Sequence, residues 1–220
     1  MPKLENKSVS QYIKQMRSES GTEKGVWGER AVVRALLNLY QTRGGILIHS
    51  YEYDVDKDKP GNIKNDNGKI YLENLGDRTE IDVLYISNYR VFPIEVKSYA
   101  ADEIVLTTQG ISGCSVTNKS PIHQNEMHCN HLYSWIWEGI EGNPNFIVPI
   151  VSFMTWHNKP VIRDNRPANE RQYIHVTNLN TLIPTIEKLD TPLDRRLNLE
   201  QMDRLLRSHM ISNDAYYPPQ

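Results

Sequence analysis

The run Thr79-Glu80-Ile81-Asp82-Val83-Leu84-Tyr85-Ile86, the turn Ser87-Asn88-Tyr89-Arg90 and the run Val91-Phe92-Pro93-Ile94-Glu95-Val96-Lys97 decide the fold. Two stretches rich in β-branched and aromatic residues, joined by a short polar turn, spell an antiparallel hairpin. A loop centred between Asn88 and Tyr89 sets Asp82 opposite Glu95. Side chains alternate along a strand, so Lys97 shares the face of Glu95, and Ile81, Val83, Ile94 and Val96 take the other. The hairpin therefore gathers two carboxylates and one ammonium. Adjacent carboxylates repel unless a cation lies between them. A divalent metal flanked by a lysine is the simplest chemistry that wants this arrangement.

Outward from the hairpin, the chain reads as one domain with terminal additions. Residues 1–21 form an N-terminal helical extension, 22–157 the core, and 158–220 a C-terminal extension packed on it, ending in a disordered tail from Tyr216. At 220 residues it is long enough for a sizeable core. The 25 basic and 27 acidic residues nearly cancel, so no strong electrostatic footprint for nucleic acid is written in the composition. That disfavours a stable DNA-coating protein and leaves room for a transient enzyme using metal ions. Cys114 and Cys129 are too few for a disulfide framework. The start, Met1-Pro2-Lys3-Leu4-Glu5-Asn6-Lys7, has no apolar signal core, and no run reaches transmembrane length. The expectation is a cytoplasmic setting with no membrane partner.

Residues 3–17 suit a short polar helix. Ser20-Gly21-Thr22-Glu23 matches a capping box and opens a helix to about Tyr40. Gly44-Gly45 breaks the chain before a strand over Ile46–Tyr53. The polar stretch 54–78 reads as loop, with a short ribbon at Lys69–Glu73. After the hairpin come short strands at Ile104–Thr108 and Cys114–Thr117. A helix follows from Ser120-Pro121 to near Gly139, with serine as N-cap and proline in the first helical position. Phe146–Trp156 is an apolar strand, 157–171 a loop and Tyr173–Val176 a strand. Helices at about 180–189 and 199–209, the second capped by Asn198, finish the chain. The core order of helix, three strands, helix, strand indicates an α/β or α+β fold.

In the first long helix, Val26, Val33, Leu36, Leu37 and Tyr40 make an apolar stripe, and Glu29 lies on it. An unpaired buried carboxylate is expensive. Glu29 therefore either sits at frayed first turns, where acids suit the helix dipole, or points at the same site as Asp82 and Glu95. Gly25 and Gly28 leave space beside it.

Together, Gly25-Val26-Trp27-Gly28-Glu29, Glu80-Ile81-Asp82, Ile94-Glu95-Val96-Lys97 and Pro121-Ile122-His123-Gln124 resemble the nuclease-related (NERD) domain of the PD-(D/E)XK nuclease superfamily. The resemblance covers roughly residues 22 to 153, and Ile81-Asp82 stands where the family usually has Pro-Asp. Its specificity lies in the ordered set. Glu5-Asn6-Lys7 is another Glu-x-Lys, but without a strand around it. The resemblance implies a restriction-endonuclease-like core, a mixed sheet flanked by helices. It implies metal-dependent hydrolysis of DNA phosphodiesters, with Mg²⁺ or Mn²⁺ on Asp82, Glu95, the Val96 carbonyl and Glu29. Lys97 would orient water or stabilise the crowded phosphate, and Gln124 would position water or phosphate near a helix start. DNA is the implied partner, with a homodimer and a second protein in a larger machine as further expectations. Defence against foreign DNA, or DNA processing on a mobile element, are the roles that suit such a chain. A Holliday-junction resolvase-like or repair nuclease is the alternative, and a non-catalytic nucleic-acid-binding module is a third.

The helix pattern does not itself support Gln124. The apolar stripe there runs through Ile122, Cys129, Leu132, Tyr133, Ile136 and Ile140. Gln124 lies opposite with His128, His131 and Trp135, on a face that reads as solvated or, in the sharper reading, as stacking on a substrate strand. His123, His128, Cys129 and His131 lack the paired spacing of a zinc site. Asp54, Asp56, Asp58 and Gly61 miss the calcium-loop pattern at the glycine and at the twelfth position. No glycine-rich phosphate loop or nucleophile elbow occurs. Lys3, Lys7, Lys14 and Arg17, or Arg195, Arg196, Arg204 and Arg207, supply cations for backbone phosphates or simply solvated surface.

Overall fold

A computed structural model describes residues 7–18, 22–54, 78–99, 103–108, 110–112, 120–139, 146–155, 161–192 and 196–219. Chain order runs α1 (Val9–Ser18), α2 (Thr22–Arg43), β1 (Ile46–Asp54), β2 (Arg78–Ile86), β3 (Val91–Tyr99), β4 (Glu103–Thr107), β5 (Gly110–Ser112) and α3 (Pro121–Gly139). It continues with β6 (Ile150–Thr155), β7 (Val161–Asp164), α4 (Ala168–Tyr173), β8 (His175–Asn178), α5 (Leu179–Leu189), α6 (Leu199–His209), β9 (Met210–Ser212) and β10 (Ala215–Tyr217). The expected helix, three strands, helix, strand is α2-β1-β2-β3-α3-β6.

The main sheet has the order β10-β1-β2-β3-β6-β8, with β9 also on β1. β1, β2 and β3 pair antiparallel, and β6 and β8 continue parallel to β3, which makes the sheet mixed. One face packs Val83, Tyr85, Phe92, Ile94 and Val96 against Val33, Leu36 and Tyr40 of α2, Tyr12 of α1, and Leu182 and Ile186 of α5. The other packs Ile46, Ile48, Leu84, Ile86 and Val91 against Leu132 of α3 and Met202 and Leu206 of α6. A three-stranded sheet, β5-β4-β7, lays Ile104 and Leu106 on Val151 and Phe153. α3 thus meets the sheet beside this second, smaller layer.

The hairpin has the expected register, with Val83 on Ile94, Tyr85 on Phe92 and Ile86 on Val91. Pro93 lies in a central strand, where proline is unusual. It falls in a gap on the β6 side. Val91 bridges Ile147, and the ladder proper starts at Ile94–Ile150. Asn125 of α3 closes that gap: its Nδ2 donates to the carbonyls of Pro93 (3.1 Å) and Ile150 (2.7 Å).

Alternation along the strands fails at one level of the sheet. Ile48 and Tyr51 share one face although three residues apart, as do Ile81 and Leu84. Ile81 therefore packs opposite to Val83, Ile94 and Val96, contrary to the even alternation expected. The cause lies in Ser50, whose φ of 54° reverses the backbone of β1 beside Asp82. The outer partner is interrupted there too: β9 and β10 pair with β1 on either side of Asn213-Asp214.

Other departures have similar tertiary causes. Residues 157–171, expected as loop, contain β7 and most of α4. The charged Val161-Ile162-Arg163-Asp164 has no apolar run and is a strand only because it adds to β4. The strand expected at Tyr173–Val176 sits at His175–Asn178, because Tyr173 still closes α4. The tail from Tyr216 is ordered: Leu47 pairs with Tyr217 and Ile48 with Tyr216. β5 starts at Gly110. The expected strand at Cys114–Thr117, the capping residue Ser20, the ribbon at Lys69–Glu73 and the acidic Asp56–Gly61 loop lie outside the described residues.

Candidate active site

The central hairpin delivers its three polar side chains together. Asp82 Oδ2 accepts the Val96 backbone N–H at 2.7 Å, across the two strands. The Lys97 ammonium donates to Glu95 Oε1. Glu95 is only 1% exposed, so its charge depends on these neighbours. Burial, then the Glu95 and Glu29 carboxylates, hold the Asp82 carboxyl well above its ordinary range, against the pull of Lys97 and the Val96 amide. Burial alone would lower the Lys97 ammonium, but Glu95 and Asp82 outweigh it and raise its pKa. Lys97 is charged at neutral pH and supplies the positive charge that two adjacent carboxylates require.

Glu29 reaches this centre because α2 lies close on the sheet. Gly28 is buried against β3, and a Cβ there would collide with Ser98 Oγ. A Cβ at Gly25 would meet only Glu29 Oε1 at 3.9 Å, so that glycine is not required for packing. Glu29 lies in the body of α2, which begins at Thr22, rather than at a frayed end. Its Oε2 faces Nε2 of the buried His49 at 3.3 Å. On the other side, His49 Nδ1 faces Asp214 Oδ2 at 3.8 Å, and the Asp214 amide donates to the His49 carbonyl at 2.9 Å. Glu80 joins this acidic corner. Partial burial raises its carboxyl most, a Ser50 hydrogen bond opposes, and the Glu29 and Asp214 carboxylates raise it further.

The α3 side is closed. His128, expected on a polar face, is 1% exposed, and Asn125, Met127, Cys129 and Leu132 are buried as well. The helix is buried because β3 and β6 of the main sheet and α6 pack on it. His128 Nε2 faces Glu95 Oε2 at 3.6 Å. Its Nδ1 lies 3.0 Å from Tyr53 Oη, which also meets His131 Nδ1 at 2.9 Å. Gln124, half-buried, lies one helical turn before His128 and so on the stripe that approaches Glu95.

The structure thus brings Asp82, Glu95, Lys97 and Glu29 together and sets Gln124 on the approaching helix face. Sequence reasoning missed His49, Asp214, Tyr53 and the buried role of His128. His49 follows the apolar run Ile46-Leu47-Ile48 within a strand, the one signal that pointed to it; Tyr53, between Glu52 and Asp54, carried none. Among the described residues no three His, Cys, Asp or Glu side chains converge as a ready-made metal cage. Lys97 already engages Glu95. Even so, the donor set fits a hard cation: it is all oxygen, and Asp82 is crowded by the Glu95 and Glu29 carboxylates, which repel unless a cation lies between them.

A model of the nuclease-related domain matches residues 24–154. The chain belongs to the NERD family. The matched NERD region runs from the first turn of α2 to the end of β6, so it contains Glu29, Asp82, Glu95, Lys97 and Gln124, whereas Asp214 comes from outside it. An uncharacterized protein of Bacillus anthracis is 25% identical over 154 residues, covering 67% of this chain and 68% of that protein. No solved structure matches. Among the described residues no helix is long and apolar enough to cross a membrane.

Proposed function

We propose that this NERD chain is a divalent-metal-dependent nuclease that hydrolyses DNA. The observation that carries the reading is the crowding of Asp82 and Glu95 beside Lys97, with Glu29 near enough to raise Asp82 further. Asp82, Glu95 and the Val96 carbonyl would hold Mg²⁺ or Mn²⁺, with Glu29 holding the ion or one of its waters. When bound, such an ion lowers the pKa of a water and screens the charge of a phosphate.

The chain's own groups do the rest. Glu29, with 18% of its side chain exposed, faces the solvent side and orients the attacking water. Water oxygen bonds to phosphorus and gives up one proton to solvent, the phosphorus–oxygen bond to the leaving strand breaks, and the leaving oxygen takes up a proton from solvent. Lys97, charged and with a quarter of its side chain exposed, neutralises charge that grows on the phosphate oxygens. Gln124 hydrogen-bonds water or phosphate from the α3 start. The near-neutral charge of the chain suits contact with DNA that is local to these residues.

The test is incubation with circular and linear DNA in Mg²⁺, in Mn²⁺ and in chelator, beside Asp82→Ala. Metal-dependent cleavage that disappears in the variant is the expected result. Cleavage unchanged in Asp82→Ala, or equal in chelator, rules the mechanism out. Nicking of the circular substrate distinguishes endonuclease from exonuclease action.

A further inference from the structure

Tyr53 Oη touches two imidazole nitrogens, His128 Nδ1 and His131 Nδ1. A phenol has one hydrogen to give. Burial, then Tyr51 and Cys129, keep the Tyr53 pKa well above its usual value against a Thr79 hydrogen bond, so that hydrogen stays in place. The Thr79 hydrogen bond opposes that shift, so Thr79 donates to Oη; the phenol hydrogen then goes to one imidazole, and the other carries its own hydrogen on Nδ1. Burial, then His128, push His131 down to about 4, so its ring is neutral at pH 7 and holds a single N–H.

The far side of His128 decides the direction. His128 Nε2 and Glu95 Oε2 face each other at 3.6 Å, both buried and both without another hydrogen bond. With hydrogen on Nδ1, the Nε2 lone pair would meet the carboxylate lone pairs in a dry interior, an arrangement with nothing to offset its desolvation. With hydrogen on Nε2, a donor faces an acceptor, and a slight shift of Glu95 closes the bond.

We infer that His131, Tyr53 and His128 form a directed relay, His131 Nδ1–H to Tyr53 Oη–H to His128 Nδ1, which aims His128 Nε2–H at Glu95 Oε2. Lys97 holds Oε1 and His128 holds Oε2, so the carboxylate has one orientation. His128 is a positioning residue for the cleft. Its effect on cleavage rests on the nuclease reading, whereas its hydrogen positions do not. A tyrosine in β1 and two histidines three apart on α3 are polar groups in buried places, and each finds its partner in another.

Nitrogen-15 NMR of the imidazoles of the metal-free full chain at neutral pH reads the tautomers directly. The expected result is Nε2–H on His128 and Nδ1–H on His131, with the preference lost in Tyr53→Phe. Nδ1–H on His128 overturns the relay. Functionally, His128→Leu is expected to weaken Mn²⁺ binding in calorimetry and cleavage by about 10–100-fold, the usual effect of losing a group that orients a ligand. His128→Gln, whose amide can donate from near the Nε2 position, recovers most of both. Wild-type Mn²⁺ affinity in a folded His128→Leu overturns the positioning role. Should the wild type cleave nothing in any metal, the nuclease reading fails, and the relay is still decided by the tautomers.

Discussion

Two carboxylate–imidazole pairs flank Asp82, and they differ in access to water. In the Glu95–His128 pair the side chains are 0% and 1% exposed. In the corner of Glu29, His49 and Asp214, the histidine is 2% exposed, but the acids are 18% and 37% exposed. Water can replace a lost partner in the second corner and cannot in the first. On the proposed nuclease reading, the sealed corner would set geometry and the open one would admit substrate. Glu95→Gln is therefore expected to reduce single-turnover cleavage about a thousandfold, the scale on which single charge-stabilising groups act. Glu29→Gln should lose only about 10–100-fold. Equal losses would erase the distinction. Thermal unfolding in chelator should show Glu95→Gln less stable than wild type, because the Lys97 ammonium loses its buried partner and the Gln NH₂ faces one of two donors, Lys97 or His128.

The next test moves the open corner as a body. Gly28→Ala sets a Cβ against Ser98 Oγ, so the test is whether that hydroxyl rotates away or α2 lifts off β3 and shifts Glu29 relative to Asp82, the outcome expected here. Overpacking of this kind costs about 1–3 kcal/mol. The loss should appear as a lower unfolding midpoint together with weaker cleavage. Once Ser98 Oγ is removed, the nearest atoms to the new Cβ are Met154 Cγ at 3.5 Å and Ser98 Cβ at 3.6 Å, ordinary contacts. Ser98→Ala should then rescue Gly28→Ala in both measurements. Failure to rescue would mean that the helix height is set elsewhere.

The two corners also differ in how far the chain could be read. Glu95 and Lys97 follow from strand alternation and Asp82 from the register of a short turn, although alternation itself fails beside Asp82, and Glu29 follows from a charge on an apolar stripe. Asp214 did not follow. It lies far along the chain, and it arrives only because the tail adds to the edge of β1, a pairing with no local signal beyond three short polar-flanked residues. His128 was misread for a related reason. A polar face on α3 looks solvated until it meets the main sheet, where His128 faces Glu95 of β3 and Tyr53 of β1. The reversal at Ser50 was equally invisible, since a serine at positive φ is a tertiary accommodation rather than a preference. The hairpin reading therefore located the chemistry but not the polar groups that hold it.

Asp214 offers a smaller effect. Asp214→Asn keeps the backbone bond to the His49 carbonyl and removes the charge beside Nδ1. With 37% of the side chain in water, about a tenfold or smaller fall in cleavage is expected, by analogy with other groups that act through a ligand's neighbour. A fall as large as that of Glu29→Gln would promote the C-terminal ribbon from support to an equal part of the site.

The smallest expected effect belongs to the sealed corner and concerns acid. Burial, then His128, lower His131 from 6.5 to about 4. Between these values the unfolded chain binds a proton that the folded chain does not. Stability from this group is therefore complete above about pH 6.5 and is lost as pH falls toward 4. Asp82 acts with the opposite sign: its raised carboxyl takes up a proton in the fold first, so its contribution grows as pH falls through the raised pKa. The net slope of the wild type mixes the two, and the comparison with a variant separates them. His131→Asn keeps a donor near the Nδ1 position, so Tyr53 retains its bond, but the amide does not titrate. Unfolding midpoints in chelator from pH 7 to pH 4 should fall more steeply for the wild type than for His131→Asn. Parallel curves would mean that water reaches His131 freely, and the α3 side would then be no more sealed than the corner of Glu29.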